Sequence, residues 1–152
     1  MGRIPPIVFV QLAKEFLAAA QREACTKPPT ISMPAYFLVA RAIELLLKAY
    51  LLTCGRDERT LRSISHNLGK ALDEAVATGL RDVTTFSTDE EKSVRWINEY
   101  YWRKDLEYPT RGFKSFPPLS SLTDFAERLL RDLGPKTREW GRALAVKPPA
   151  RP

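Results

Sequence analysis

Six side chains have the chemistry and spacing to form a site: Arg41, Glu44 and Lys48, then His66, then Arg103 and Tyr108. The first three fall at i, i+3 and i+7, which is one face of a helix. A guanidinium, a carboxylate and an ammonium sharing a face can hold one another in place and still receive an anion. A lone charge in the same position would be costly to desolvate. His66 is the only histidine, so any imidazole proton transfer near neutral pH runs through it. Arg103 and Tyr108 lie in the run WRKDLEYP, where a guanidinium and a phenol stand five residues apart. Each group also has a local structural role: Glu44 and Lys48 form the favoured i,i+4 pair, His66 can cap or bond locally, and Arg103 can pair with Glu107.

Other chemistries lack their residues. Ser63 and Ser65 flank His66 with no GxSxG around either, and neighbours in sequence do not make a nucleophile and base. The phosphate-cradling patterns GxGxxG and GxxxxGK[ST] are missing. Asp89, Glu90 and Glu91 read as first-turn charges that favour a helix dipole. Two cysteines without a CxxC, beside one histidine, exclude a Cys/His metal site, and no cofactor is expected. Cys25 and Cys54 lie near the ends of apolar helical runs, which predicts reduced, packed thiols and a reducing cytoplasm.

The elements that must position these groups are helical. Residues 34–54, PAYFLVARAIELLLKAYLLTC, are almost continuously apolar apart from the three charged residues. Ser32 is the expected N-cap, Pro34 suits the first turn, and Gly55 is the stop. An amphipathic helix over 7–24 precedes it, across an extended TKPPTIS linker. Asp57 caps a short turn or helix. HNLGKALDEAVATGL then supplies a stripe of Leu68, Leu72, Ala75 and Val76, with Gly69 allowing close approach by a neighbour. Ser87 or Thr88, followed three residues later by Glu90 or Glu91, is a capping-box signature that opens a helix running to Pro109. That helix has one stripe of Val94, Ile97 and Tyr101 and another of Trp96, Tyr100 and Arg103. The loop TRGFKSFPPLSS contains Phe113 and Phe116, which need cover. A last helix buries Leu122, Phe125, Leu129 and Leu133, and Gly134 with Pro135 is expected to kink or break it.

With 152 residues, 44% hydrophobic and 28% charged, the chain is long enough to bury a core. No stretch has a clean transmembrane length, so no membrane association is expected. The formal charge is +6. Seven basic residues against two acidic ones place five of those charges from Arg128 onward. Such a balance fits anionic partners and is also common in ordinary domains. Period-two alternation and 20–50-residue repeats are missing. The reading is an all-α bundle of about five helices, one domain over 1–145 with a Pro-rich flexible tail at 146–152.

The run ARAIELLLKAYLL followed by SHNLGKALDEA resembles the HEPN family of helical domains, over roughly residues 7–133. Many HEPN domains carry an Arg-x(4–6)-His motif late in the domain, which serves metal-independent RNA cleavage. Here Arg103 takes the arginine place and Tyr108 stands where histidine would be. A phenol, with a pKa of about 10 against about 6.5 for imidazole, is a poor proton shuttle at neutral pH. The letters R-x6-H also run from Arg59 to His66, between the second and third helices, outside the place of the family motif.

The resemblance implies a homodimer, with the helix beginning near Glu90 as candidate interface, and an RNA or nucleotide ligand held without efficient cleavage. Arg41, Glu44, Lys48, His66, Arg103 and Tyr108 are the expected ligand-binding set. Arg103 and Lys48 would meet phosphate, and Tyr101 or Tyr108 would stack on a base. One alternative is a protein-interaction subunit of a toxin–antitoxin or nucleotidyltransferase pair, using Trp96, Tyr100 and Trp102. Another is a metal-independent endoribonuclease with Arg103, Tyr108 and His66 as catalytic candidates.

Overall fold

The computed structural model describes the backbone of residues 4–26 and 31–146, and side chains as far as Trp140. Among the described residues there are six α-helices and one short 3₁₀ turn, with no strand: α1 Pro6–Thr26, α2 Met33–Thr53, α3 Glu58–Ile64, α4 Leu68–Ala77, the turn Leu80–Asp82, α5 Thr88–Tyr101 and α6 Leu119–Val146. The chain is therefore all-α, and the short segment after Asp57 is a helix of its own. The linker at 27–30 and the Pro-rich tail beyond Val146 lie outside the described residues.

Helix α2 is central because α1, α4, α5 and α6 all pack on it. That explains its sequence, since a helix covered on nearly every side must be apolar on nearly every side. Helices α1 and α2 form an antiparallel hairpin: Ser32 bonds to Glu23 at one end, and Phe9 and Leu52 line the same cleft at the other. Val10, Ala13, Leu17 and Ala20 are the buried stripe of α1, and Leu122, Phe125, Leu129 and Leu133 that of α6. No described helix is long and apolar enough to cross a membrane.

The expected caps form. Ser32 Oγ accepts from Ala35 N with Pro34 in the first turn, and Asp57 accepts from Thr60 N. Of the two pairings open at the start of α5, Ser87 and Glu90 form the reciprocal capping box, and α4 is capped by Asn67, a residue not singled out as a cap, in place of His66. Such caps stabilise by about 1 kcal/mol each. Gly55, with φ +89°, turns the chain out of α2. At Gly69 a Cβ would stand 3.3 Å from the Asn98 side-chain nitrogen, so the missing side chain lets α4 and α5 approach.

Four expectations need correction. Helix α5 ends at Tyr101, so Arg103 to Tyr108 lie in turns and not on the helix. Lys104 takes the left-handed conformation (φ +65°), Asp105 N bonds back to Tyr100 O and Lys104 N to Tyr101 O. These are the six-to-one and five-to-two bonds that terminate a helix, and they let Leu106 fold back into the core. Helix α6 is not broken at Gly134 and Pro135 but runs on through both to Val146. Pro135 removes one intrahelical donor, and Thr137 Oγ1 bonds to the Gly134 carbonyl from within the core.

The two thiols are exposed, not packed: Cys54 caps α2 at its solvent end, and Cys25 sits in the last turn of α1. The aromatic loop is covered only in part. Phe116 lies against Tyr36 and Tyr100, with centroids at 4.8 and 5.4 Å, whereas Phe113 is fully exposed.

A candidate anion site around a buried carboxylate

Glu44 projects from the middle of α2 and is completely buried. A carboxylate there must be satisfied on both oxygens, because an unpaired buried charge is far more costly than a paired one. Arg41 Nη1 donates to Oε2 from one turn earlier on α2, and Tyr101 OH donates to the same oxygen at 3.1 Å from α5. Oε1 receives Lys48 Nζ at 3.4 Å and His66 Nδ1 at 2.7 Å. Four donors from α2, α5 and the α3–α4 turn occupy the four lone-pair directions of the carboxylate. Glu44 therefore has no free lone pair with which to accept a substrate proton. It is an anchor.

The tautomer of His66 follows from this arrangement. Arg41 Nη1 also lies 3.4 Å from His66 Nδ1, but Nδ1 cannot both accept from a guanidinium and donate to a carboxylate. The 2.7 Å contact decides for donation. Nδ1–H then faces Glu44, and Nε2 of a half-exposed ring is left as an acceptor toward solvent. This carboxylate–imidazole pairing is the arrangement that orients a general base.

Lys48 is tied down as well. Its ammonium donates to the Ser65 carbonyl at 2.7 Å. Ser65 adopts φ +53° and ψ −128°, an unfavourable conformation for a residue with a Cβ, at a cost of about 1–3 kcal/mol. That turn faces the Ser65 carbonyl to Lys48 and puts His66 just before Asn67, the cap of α4. Asn67 is held by Asn98 of α5 at 3.0 Å, and Asn98 also accepts from Leu68 N at 2.8 Å. The turn that presents His66 is thus fixed from α2 and from α5.

Charge does not balance here. Arg41 and Lys48 face one carboxylate, leaving one positive charge in excess, and two when His66 is protonated. Burial works against the charge of Arg41, but Glu44 and Tyr101 outweigh it and raise its pKa. Burial is the main cause that pushes the Tyr101 phenol up, with the Glu44 charge second, so Tyr101 stays a neutral donor.

Lys48 and His66 also line a cleft of roughly 400 Å³ between the start of α1, the end of α2 and α3. Ile4, Phe9, Leu52 and Leu61 form its apolar walls; Lys48, Ser65 and His66 form its polar lining, and Glu58 with Arg62 its rim. Concave, mostly apolar sites with a few convergent polar groups are the usual form of small-ligand pockets.

Of the six residues singled out in the sequence, four come together: Arg41, Glu44, Lys48 and His66. Arg103 and Tyr108 have no bond to that cluster. The Arg103 guanidinium lies 5.8 Å from the Trp102 ring centre, and both Arg103 and Tyr108 are exposed. Tyr101, expected on a buried stripe and also as a residue that could stack on a base, is buried with its hydroxyl on Glu44, so its ring is closed to a base. The signal it carried was its hydroxyl, since a tyrosine on a buried stripe needs a partner for its O–H. Phe9 lies among the apolar positions of the first helix and Leu61 in the short segment after Asp57, and nothing in their spacing marked a cleft.

Compared with family models, with curated proteins and with solved structures, the chain matches none of them.

Proposed function

We propose that this helical bundle is an HEPN-like protein that binds RNA or a nucleotide at the cationic edge formed by Arg41, Lys48 and His66. The observation that supports it is the uncompensated charge. Glu44 is saturated by its own neighbours, so the excess positive charge is left for an external anion, and phosphate suits a guanidinium and an ammonium held in place. Arg103 and Tyr108, the pair in the place of the family's late motif, stand apart from this cluster. Their exposure leaves the reading without an arginine–tyrosine catalytic pair and favours binding without efficient cleavage.

The test is binding of labelled single-stranded RNA by fluorescence anisotropy across a salt series. Affinity should fall steeply with salt, because phosphate contacts release counterions. His66→Gln keeps a donor for Glu44 while removing the ring, and it should weaken binding with little change in melting. Binding that ignores salt, or none at all, would sink the reading. Cleavage in the same tubes, lost in His66→Gln, would move the protein to the ribonuclease class. The 2′-hydroxyl proton would then pass to His66 Nε2 as the 2′-oxygen attacks phosphorus and the P–O5′ bond breaks, the 5′-oxygen taking a proton from solvent.

A second reading rests on Trp96, Trp102 and Phe113, three large apolar side chains exposed on α5 and the loop after it. Aromatic residues are enriched where proteins meet. A homodimer or another protein partner on that edge is compatible with RNA at the Glu44 cluster, and sedimentation of wild type beside Trp102→Ala tests it.

A further inference from the structure

The cleft beside His66 has a shape and chemistry that the RNA-binding reading does not by itself require. Lys48, Ser65 and His66 stand together in its lining, Ile4, Phe9, Leu52 and Leu61 form its apolar wall, and Glu58 with Arg62 completes it. A ligand that fills it must carry both an anion and a compact apolar face. Inorganic phosphate or the outside of a duplex satisfies only the first requirement. Its volume, roughly 400 Å³, lies within the range of about 300–1,000 Å³ typical of small-ligand sites.

We infer that the cleft receives one unpaired nucleobase, with Phe9 as its stacking face and Lys48 and His66 at the adjoining phosphate. This rests on the RNA-binding reading and narrows it: the ligand is a single strand or a free nucleotide. A base inside a helix has both faces covered by its neighbours and cannot enter. The Glu58–Arg62 pair at the rim, 3.5 Å apart, offers an acceptor and a donor to the hydrogen-bonding edge of the base. Three of the four apolar walls are held by the core: Leu61, on α3, is buried, and Phe9 and Leu52 pack against the core cluster with part of their surface open, whereas Ile4 is exposed ahead of α1. The Phe9–Leu52–Leu61 side of the pocket is therefore formed before the ligand arrives.

The experiment uses the full chain and three labelled ligands at one salt concentration: a single-stranded RNA, its duplex, and a strand of the same length carrying sugar and phosphate without bases. Two variants accompany the wild type. Leu52→Trp fills the cleft from a half-buried position, and Phe9→Leu keeps the wall apolar while removing the ring. The wild type should prefer the single strand over the other two by at least about tenfold, the size expected of one stacked base. Both variants, melting as the wild type does, should lose that preference and keep the weaker, salt-dependent binding. Equal binding of all three ligands would overturn the inference and leave the RNA reading standing, as would a single-strand preference that survives both substitutions. Failure of every ligand to bind would overturn the RNA reading and the inference together.

Discussion

Two glutamates tie distant parts of the molecule together, and they do it differently. Glu44 is buried in the middle of α2 and is saturated by Arg41, Lys48, Tyr101 and His66. Glu90 is in the first turn of α5, where its carboxylate accepts from Ser87 N and from Arg128 on α6 at 2.7 and 2.8 Å. Around Glu90 the partners close on one another: Arg128 also donates to the Thr85 carbonyl. Around Glu44 the carboxylate is complete but its partners are not. His66 keeps a free nitrogen, and the cations outnumber the anion. A satisfied carboxylate marks structure in both places, and the groups left over at one of them mark where a ligand would act.

Breaking each tie should separate them. Glu44→Ala removes the one buried member of the cluster and leaves the half-buried Arg41 and Lys48 without their counter-ion; breaking a fully buried pair costs about 3–5 kcal/mol, which is the upper bound here. The measurement is chemical denaturation. A loss under 1 kcal/mol would mean that the cluster relaxes into water and is no anchor.

Arg128→Met comes next, at about 1.5–3 kcal/mol for hydrogen bonds between charged groups, and it has a pH signature. Burial alone would raise the Glu90 carboxyl, but the Ser87 N–H and Arg128 outweigh it and hold the group below its ordinary value. A carboxyl depressed in the folded state contributes stability above the unfolded pKa of about 4.5 and loses it as pH falls through the folded value. The stability gap between wild type and Arg128→Met should therefore be full at pH 7 and narrower at pH 3. A constant gap would show that Arg128 acts through packing alone.

How much of this was legible in the sequence follows from which interactions are local. Ser32, Asp57 and the Ser87–Glu90 box act within three residues, so their letters carried the answer. The burial stripes of α1, α4 and α6 followed from helical periodicity. The i, i+3, i+7 spacing of Arg41, Glu44 and Lys48 put three of the five donor and acceptor residues of the site on one face. The cleft was not legible, because Phe9, Leu52 and Leu61 come from three different helices, Ile4 precedes the first of them, and none has a neighbour in sequence that marks a shared wall. The end of α5 was missed because nothing in WRKDLEYP forbids helix before Pro109. The chain turns at Lys104 so that Leu106 can reach the core, a tertiary gain that propensity does not register.

The smallest expected effect falls on the pair that the sequence made most prominent. Arg103 and Tyr108 lie on an exposed turn, without a bond to the Glu44 cluster, and surface substitutions away from buried networks usually change stability by about 0.5 kcal/mol or less. Arg103→Ala and Tyr108→Phe should therefore melt as the wild type does and weaken RNA binding less than His66→Gln, with Arg103→Ala losing only a share of the long-range attraction that salt screens. Anisotropy at low and high salt checks this. If Arg103→Ala abolished binding at every salt concentration while His66→Gln left it intact, the ligand would sit on the turn after α5. The free nitrogen beside Glu44 would then be a by-product of holding the α3–α4 turn in place.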